Sequence, residues 1–201
     1  MRRIINILAY YGIFDAIPLA LVSTAVYTVI RIIYLNVKKS RGAGVPAELA
    51  RGVLVWYMAS LVVVVWFTEL PKLFLGNITF AEFKADTFFR GEYVINGRFW
   101  RIANGQLWAL RDFELLANIA LFVPYGILLP LAFRGLKWWA VDLIALGTTA
   151  VIEVFQPMLG RACDLDDVIA NTLGGVIGCI MAKLVITAVA HVRKDRAEDE
   201  M

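Results

Sequence analysis

Five stretches of this chain, residues 13–35, 53–70, 115–133, 138–155 and 168–189, are dominated by apolar side chains over 18 residues or more. At about 1.5 Å per residue, a helix of that length covers a hydrocarbon core of about 30 Å. Inside hydrocarbon every backbone N–H and C=O must find its partner within the protein, so each stretch is expected to be helical. Long uninterrupted apolar runs, without a period of two, exclude a closed barrel.

Composition agrees with this solvent. Of the 201 residues, 60% are hydrophobic and 18% charged, against about 25% charged in soluble domains. The expected fold is an all-α membrane protein, one integral domain over 1–201, with a bundle of five transmembrane helices. A structured extracytoplasmic loop, 71–114, joins spans 2 and 3. The start, Met1-Arg2-Arg3 before an apolar run, has the look of a secretion signal. However, Asp15 interrupts that run and apolar character continues to Leu35, so it reads as a retained first span.

Basic residues set the orientation. Lys38, Lys39, Arg41 and Arg51, then Arg134 and Lys137, then Arg193, Lys194 and Arg196 all fall on one face of a five-span path. By the excess of Lys and Arg in cytoplasmic loops, the N-terminus is expected outside and the C-terminus in the cytoplasm. The net charge of +3 is small and the cations flank apolar runs, so no nucleic-acid partner is indicated. Cys163 and Cys179 stand in no Cys/His array, and His191 stands alone.

The long loop carries local signals. Thr79 and Glu82 have capping-box spacing, and Phe80, Phe83 and Lys84 open an amphipathic stretch ending near Phe89, suited to the outer interface. Asn96-Gly97, between Tyr93-Val94-Ile95 and Arg98-Phe99-Trp100, has the pattern of a two-residue hairpin. An irregular aromatic loop anchored at headgroups fits the same residues.

Polar side chains within spans are costly, and this makes Asn118, Glu153, Gln156 and Asn171 candidates for function. An antiparallel path of consecutive helices gathers them at one bilayer face, in the outer half, beneath the connection holding Arg161, Asp164, Asp166 and Asp167. Asp164, Asp167 and Asn171 fall three and four residues apart, on one helix face. The structural alternative has Asp164 or Asp166 capping the fifth helix, Arg161 neutralising the cluster, and Glu153 and Asn118 acting as glue between helices. Gly174, Gly175 and Gly178 read as a close-packing stripe, and Pro124 with Gly126 as a kink in the third span. Trp138-Trp139 and Trp56-Tyr57 mark interfaces.

The run Asn118-Ile119-Ala120-Leu121-Phe122-Val123-Pro124-Tyr125-Gly126-Ile127-Leu128-Leu129-Pro130 is followed by Glu153-x-x-Gln156, Arg161-x-x-Asp164-x-Asp166-Asp167 and Asn171-Thr172-x-Gly174-Gly175-x-x-Gly178. In order and spacing these resemble the VanZ-like family, over a core of 112–189. The resemblance implies a bacterial plasma-membrane protein that lowers susceptibility to teicoplanin, a lipid-tailed glycopeptide acting outside the membrane on peptidoglycan precursors. Members usually carry an Asn-Leu-x-Pro-Phe type segment upstream of the third span. Here Asn96-Gly97-Arg98-Phe99 stands in that region without the proline.

Three functions compete. In the first, Asn118, Gln156, Arg161, Asp164 and Asn171 bind an amphiphile: a membrane lipid headgroup, a peptidoglycan-precursor lipid or teicoplanin itself. In the second, Glu153 or Asp167 is the general base of an enzyme modifying an envelope lipid or glycan. No cofactor is predicted, although Glu153, Asp164 and Asp167 would suit a divalent cation if one were bound. Neither reading fixes an oligomeric state. Transport, the third, would need polar residues continuing across the membrane, where the spans offer mainly Asp142 and Lys183. The expected orientation is checked with single cysteines in a cysteine-free background. Gly76→Cys should react with an impermeant reagent outside the cell and Lys137→Cys should not; labelling of Lys137→Cys alone would reverse the assignment.

Overall fold

The structure, a computed structural model, describes residues 13–38, 42, 44–66, 79–82, 93–94, 97–159 and 162–199. Its long helices are α1 (Ile13–Lys38), α2 (Val45–Trp66), α4 (Phe113–Ala132), α5 (Trp138–Phe155) and α6 (Leu165–Asp199). All five are long and apolar enough to cross a membrane, making this a multi-pass membrane protein. Between α2 and α4 lie a two-residue strand β1 (Tyr93–Val94), a short helix α3 (Arg98–Ala103) and a 3₁₀ turn, Leu107–Arg111. A second 3₁₀ turn, Gln156–Leu159, and strand β2 (Cys163–Asp164) connect α5 to α6.

The core forms where α4 meets α6. A Cβ placed on Gly174 would lie 2.2 Å from the Ile119 carbonyl oxygen, and one on Gly178 would lie 2.1 Å from that of Val123. One on Gly126 would lie 2.0 Å from the carbonyl oxygen of Gly175. Ile119 faces Gly174 and Val123 faces Gly178, so the two helices run in the same direction with their backbones touching. Gly174, Gly175 and Gly178 are therefore the packing stripe expected. The third span is not broken at Pro124: α4 is one continuous helix from Phe113 to Ala132, with Pro124 and Pro130 inside it. Beside the first proline, the Tyr57 hydroxyl donates to the Leu121 carbonyl.

Phe122 is fully buried and meets the Tyr125 ring edge-on at 5.7 Å, while the Tyr125 hydroxyl pairs with Thr148 Oγ1 at 2.8 Å. At one end of the bundle Glu48 takes two bonds from Arg31, 3.0 and 2.9 Å, and one from Arg51, 2.7 Å. Arg51 Nε also donates to the carbonyl of Ala132 at 2.9 Å and so finishes the C-terminus of α4.

In the long loop the capping box at Thr79 is present: its N–H and hydroxyl both donate to Glu82, and the Glu82 N–H returns to Thr79 Oγ1. A helical turn follows at 80–82; the rest of the expected amphipathic stretch, 83–89, lies outside the described residues. The expected hairpin is overturned. Tyr93 and Val94 pair in parallel with Cys163 and Asp164, and Arg98 opens a helix. Gly97 does take the positive φ anticipated, 65°, but uses it to turn the chain into α3.

If the glycine contacts hold α4 on α6, Gly174→Ala and Gly178→Ala should each lower stability in detergent by about 1–3 kcal/mol. At Gly147, where an added Cβ meets nothing within 4 Å, Gly147→Ala should shift it by less than about 0.5 kcal/mol. Equal melting temperatures for Gly174→Ala and Gly147→Ala would contradict the packing.

Candidate functional site

The N-terminus of α3 has no side-chain cap. Its first N–H, on Arg98, instead donates to Asp166 Oδ2 across the loop at 2.5 Å. That bond, with the β1–β2 pairing beside it, presses the extramembrane segment onto the start of α6. The Arg98 side chain, 8% exposed, follows the backbone inward.

Four carboxylates meet its guanidinium. Nε lies 3.0 Å from Asp112 Oδ2, Nη2 2.5 Å from Glu114 Oε2, and Nη1 3.1 Å from Asp167 Oδ1 and 3.5 Å from Asp164 Oδ2. These acids are local features of two helix starts. Asp112 is the N-cap of α4, its other oxygen accepting from the Glu114 N–H at 3.0 Å. Asp164 does the same work for α6, accepting from the Asp166 N–H at 3.1 Å. Carboxylates are favoured at both places by the positive ends of the helices, and one arginine then serves both. Burial opposes the charge on Arg98, but the combined attraction of Asp112, Asp167, Glu114 and Asp164 outweighs it and raises its pKa. It is a permanent cation.

Beneath this layer Glu153, 2% exposed, accepts the Asp164 N–H at 3.0 Å and so ties α5 to β2. Asn118 lies beside Asp167. About one turn deeper, Asn171 Nδ2 donates to Thr149 Oγ1 at 2.9 Å, while its buried Oδ1 accepts from no group among the described residues. Turning the amide over would not help, since Thr149 offers one hydroxyl and the other amide atom would be left unpaired. Gln156 is buried at the start of the 3₁₀ turn. Burial pushes the Cys163 thiol up, and the charges of Glu153, Asp164 and Asp167 push it further, so a thiolate nucleophile is disfavoured.

The structure thus brings Asn118, Glu153, Asp164, Asp167 and Asn171 to one end of the bundle. Asp164 sits in β2, ahead of α6, so the helix face expected for Asp164, Asp167 and Asn171 holds only for the last two. Arg161 lies outside the described residues. The cation seated among these acids is Arg98, expected only as the residue following a hairpin turn at Asn96-Gly97. The acids Asp112, Glu114, Asp164, Asp166 and Asp167, all bordering ends of spans, call for a cation in the sequence without marking which one supplies it. Among the described residues no three His, Cys, Asp or Glu side chains are grouped to hold a metal ion.

A family model described as VanZ/LLP1 matches residues 53–186. The chain belongs to the VanZ/LLP1 family. The matched range takes in α2 from residue 53 onward, the segment carrying Arg98 and every acid that surrounds it. A curated relative, "Protein VanZ" of Enterococcus faecium, is 32% identical over 66 residues, which is 32% of this chain and 41% of that protein. The alignment therefore spans well under half of the relative's length. No solved structure matches the chain.

Proposed function

We propose that this family member lowers susceptibility to teicoplanin by binding an envelope amphiphile at the outward ends of α4, α5 and α6. The amphiphile is a membrane lipid headgroup, a peptidoglycan-precursor lipid or the lipoglycopeptide itself. In this reading the protein sits in a bacterial plasma membrane with its N-terminus outside and C-terminus in the cytoplasm. The Arg98 cluster then lies in the outer half, where such molecules are met.

One observation carries the reading: the buried Arg98, which gathers four carboxylates from two helix starts into a fixed polar end beneath the loop. Glu114 in that set is 65% exposed and Asp167 23%, so the cluster has an edge that solvent or a ligand can reach. The unpartnered Asn171 oxygen, one turn below Asp167, is a buried acceptor for a ligand donor. Binding is favoured over catalysis because Glu153 and Asp167, the candidate bases, already hold Asp164 N–H and Arg98. A base so engaged must lose a structural bond to take a proton.

The test is teicoplanin susceptibility of a sensitive host producing the wild type, Asp167→Asn or Arg98→Gln at matched membrane levels. Wild-type protein should raise the inhibitory concentration and both variants should bring it back toward the empty-vector value. Full protection by both would remove the cluster from the function. A mass-shifted lipid after incubation with purified protein would move the reading to catalysis.

A further inference from the structure

At the opposite end of the bundle from Arg98, the turn between α4 and α5 borders a cavity of ≈ 640 Å³. Pro130, Leu136, Trp138 and Ile186 give it an apolar lining, and Arg134 and Lys137 are its cations. We propose that this cavity binds the phosphate-bearing headgroup of an anionic phospholipid, with the proximal part of an acyl chain against the tryptophan and isoleucine.

Charge complementarity is the first argument. On the same end Arg31 and Arg51 are both held by the single carboxylate of Glu48. Among the described residues, Arg134 and Lys137 are paired with no carboxylate; Lys137 Nζ rests over the Trp139 ring at 5.8 Å. A third cation is close, with Lys183 Nζ 5.9 Å from the centre of the Trp138 ring. An arginine fork beside a lysine matches phosphate oxygens, the arginine with two parallel N–H donors and the lysine as a mobile point charge.

Depth is the second. Trp138 opens α5 and Pro130 lies in the last turn of α4, so the cavity stands where spans end and headgroups begin. Trp139 is 60% exposed, as a ring lying in that layer would be. Basic pockets between helices at this level suit acidic lipids, and the apolar lining makes a free phosphate the poorer occupant. The size lies within the usual range of small-molecule sites, about 300–1,000 Å³.

The full chain in mild detergent is examined by native mass spectrometry with added phosphatidylglycerol or phosphatidylcholine of identical chains. Wild-type protein should retain phosphatidylglycerol about tenfold better. R134Q/K137Q should lose that preference, whereas K194Q/R196Q, which removes the same charge from the exposed tail, should keep it. Inorganic phosphate or glycerol phosphate at equal concentration should fail to displace the lipid. Equal retention of the two lipids by wild type, an undiminished preference in R134Q/K137Q, or displacement by free phosphate would each overturn the proposal.

Discussion

One guanidinium, taken out of water and surrounded by carboxylates, sets the arrangement of everything around it. A buried charge is tolerated only when its partners are close and well aimed, and removing one partner of such a pair costs about 3–5 kcal/mol. Arg98 is only 7% exposed and faces Asp112 and Glu114 from α4 and Asp164 and Asp167 from around the start of α6. The dependence is mutual. Without the arginine, acids placed for two helix N-termini would repel one another at short range, and without the acids the arginine could not stay buried.

That electrostatic lock works because the helices beneath it cannot drift. Gly174 and Gly178 let α6 lie on the backbone of α4 at Ile119 and Val123, which keeps the two helix starts within reach of one side chain. The far end of α4 is held by Arg51, which donates to the Ala132 carbonyl while sharing Glu48 with Arg31. A helix carrying two internal prolines is thus fastened at both termini by arginines from other parts of the chain.

The bundle was legible in the sequence because lipid leaves so few options: apolar length alone specifies helices, and short loops make neighbours antiparallel. Some helices start earlier than their apolar runs, as with α2, which begins at Val45 rather than 53, because polar residues such as Glu48 and Arg51 are accommodated by pairing with each other. Asn118, Glu153, Asp167 and Asn171 could be grouped from helix order and depth. Arg98 could not, because nothing local to Asn96-Gly97-Arg98 announces a partner nearly seventy residues away. Hairpin signals are short-range, and here a parallel pairing with Cys163 and Asp164, a tertiary contact, prevailed over them. The polar end is also more tightly bonded than an open pocket would be, a property of side-chain geometry that residue spacing does not encode.

For a VanZ/LLP1 family member this makes the extramembrane segment part of the candidate site, since it supplies the cation while the acids come from the starts of α4 and α6 and the residues just before them. The most direct test is a double-mutant cycle between Arg98 and Asp167, using Arg98→Gln, Asp167→Asn and the pair, read from reversible unfolding in detergent. A direct ion pair 3.1 Å long should give a coupling energy of about 1 kcal/mol or more. Effects that add to within about 0.3 kcal/mol would mean that Arg98 and Asp167 do not touch, and that the loop is held to the bundle by something else.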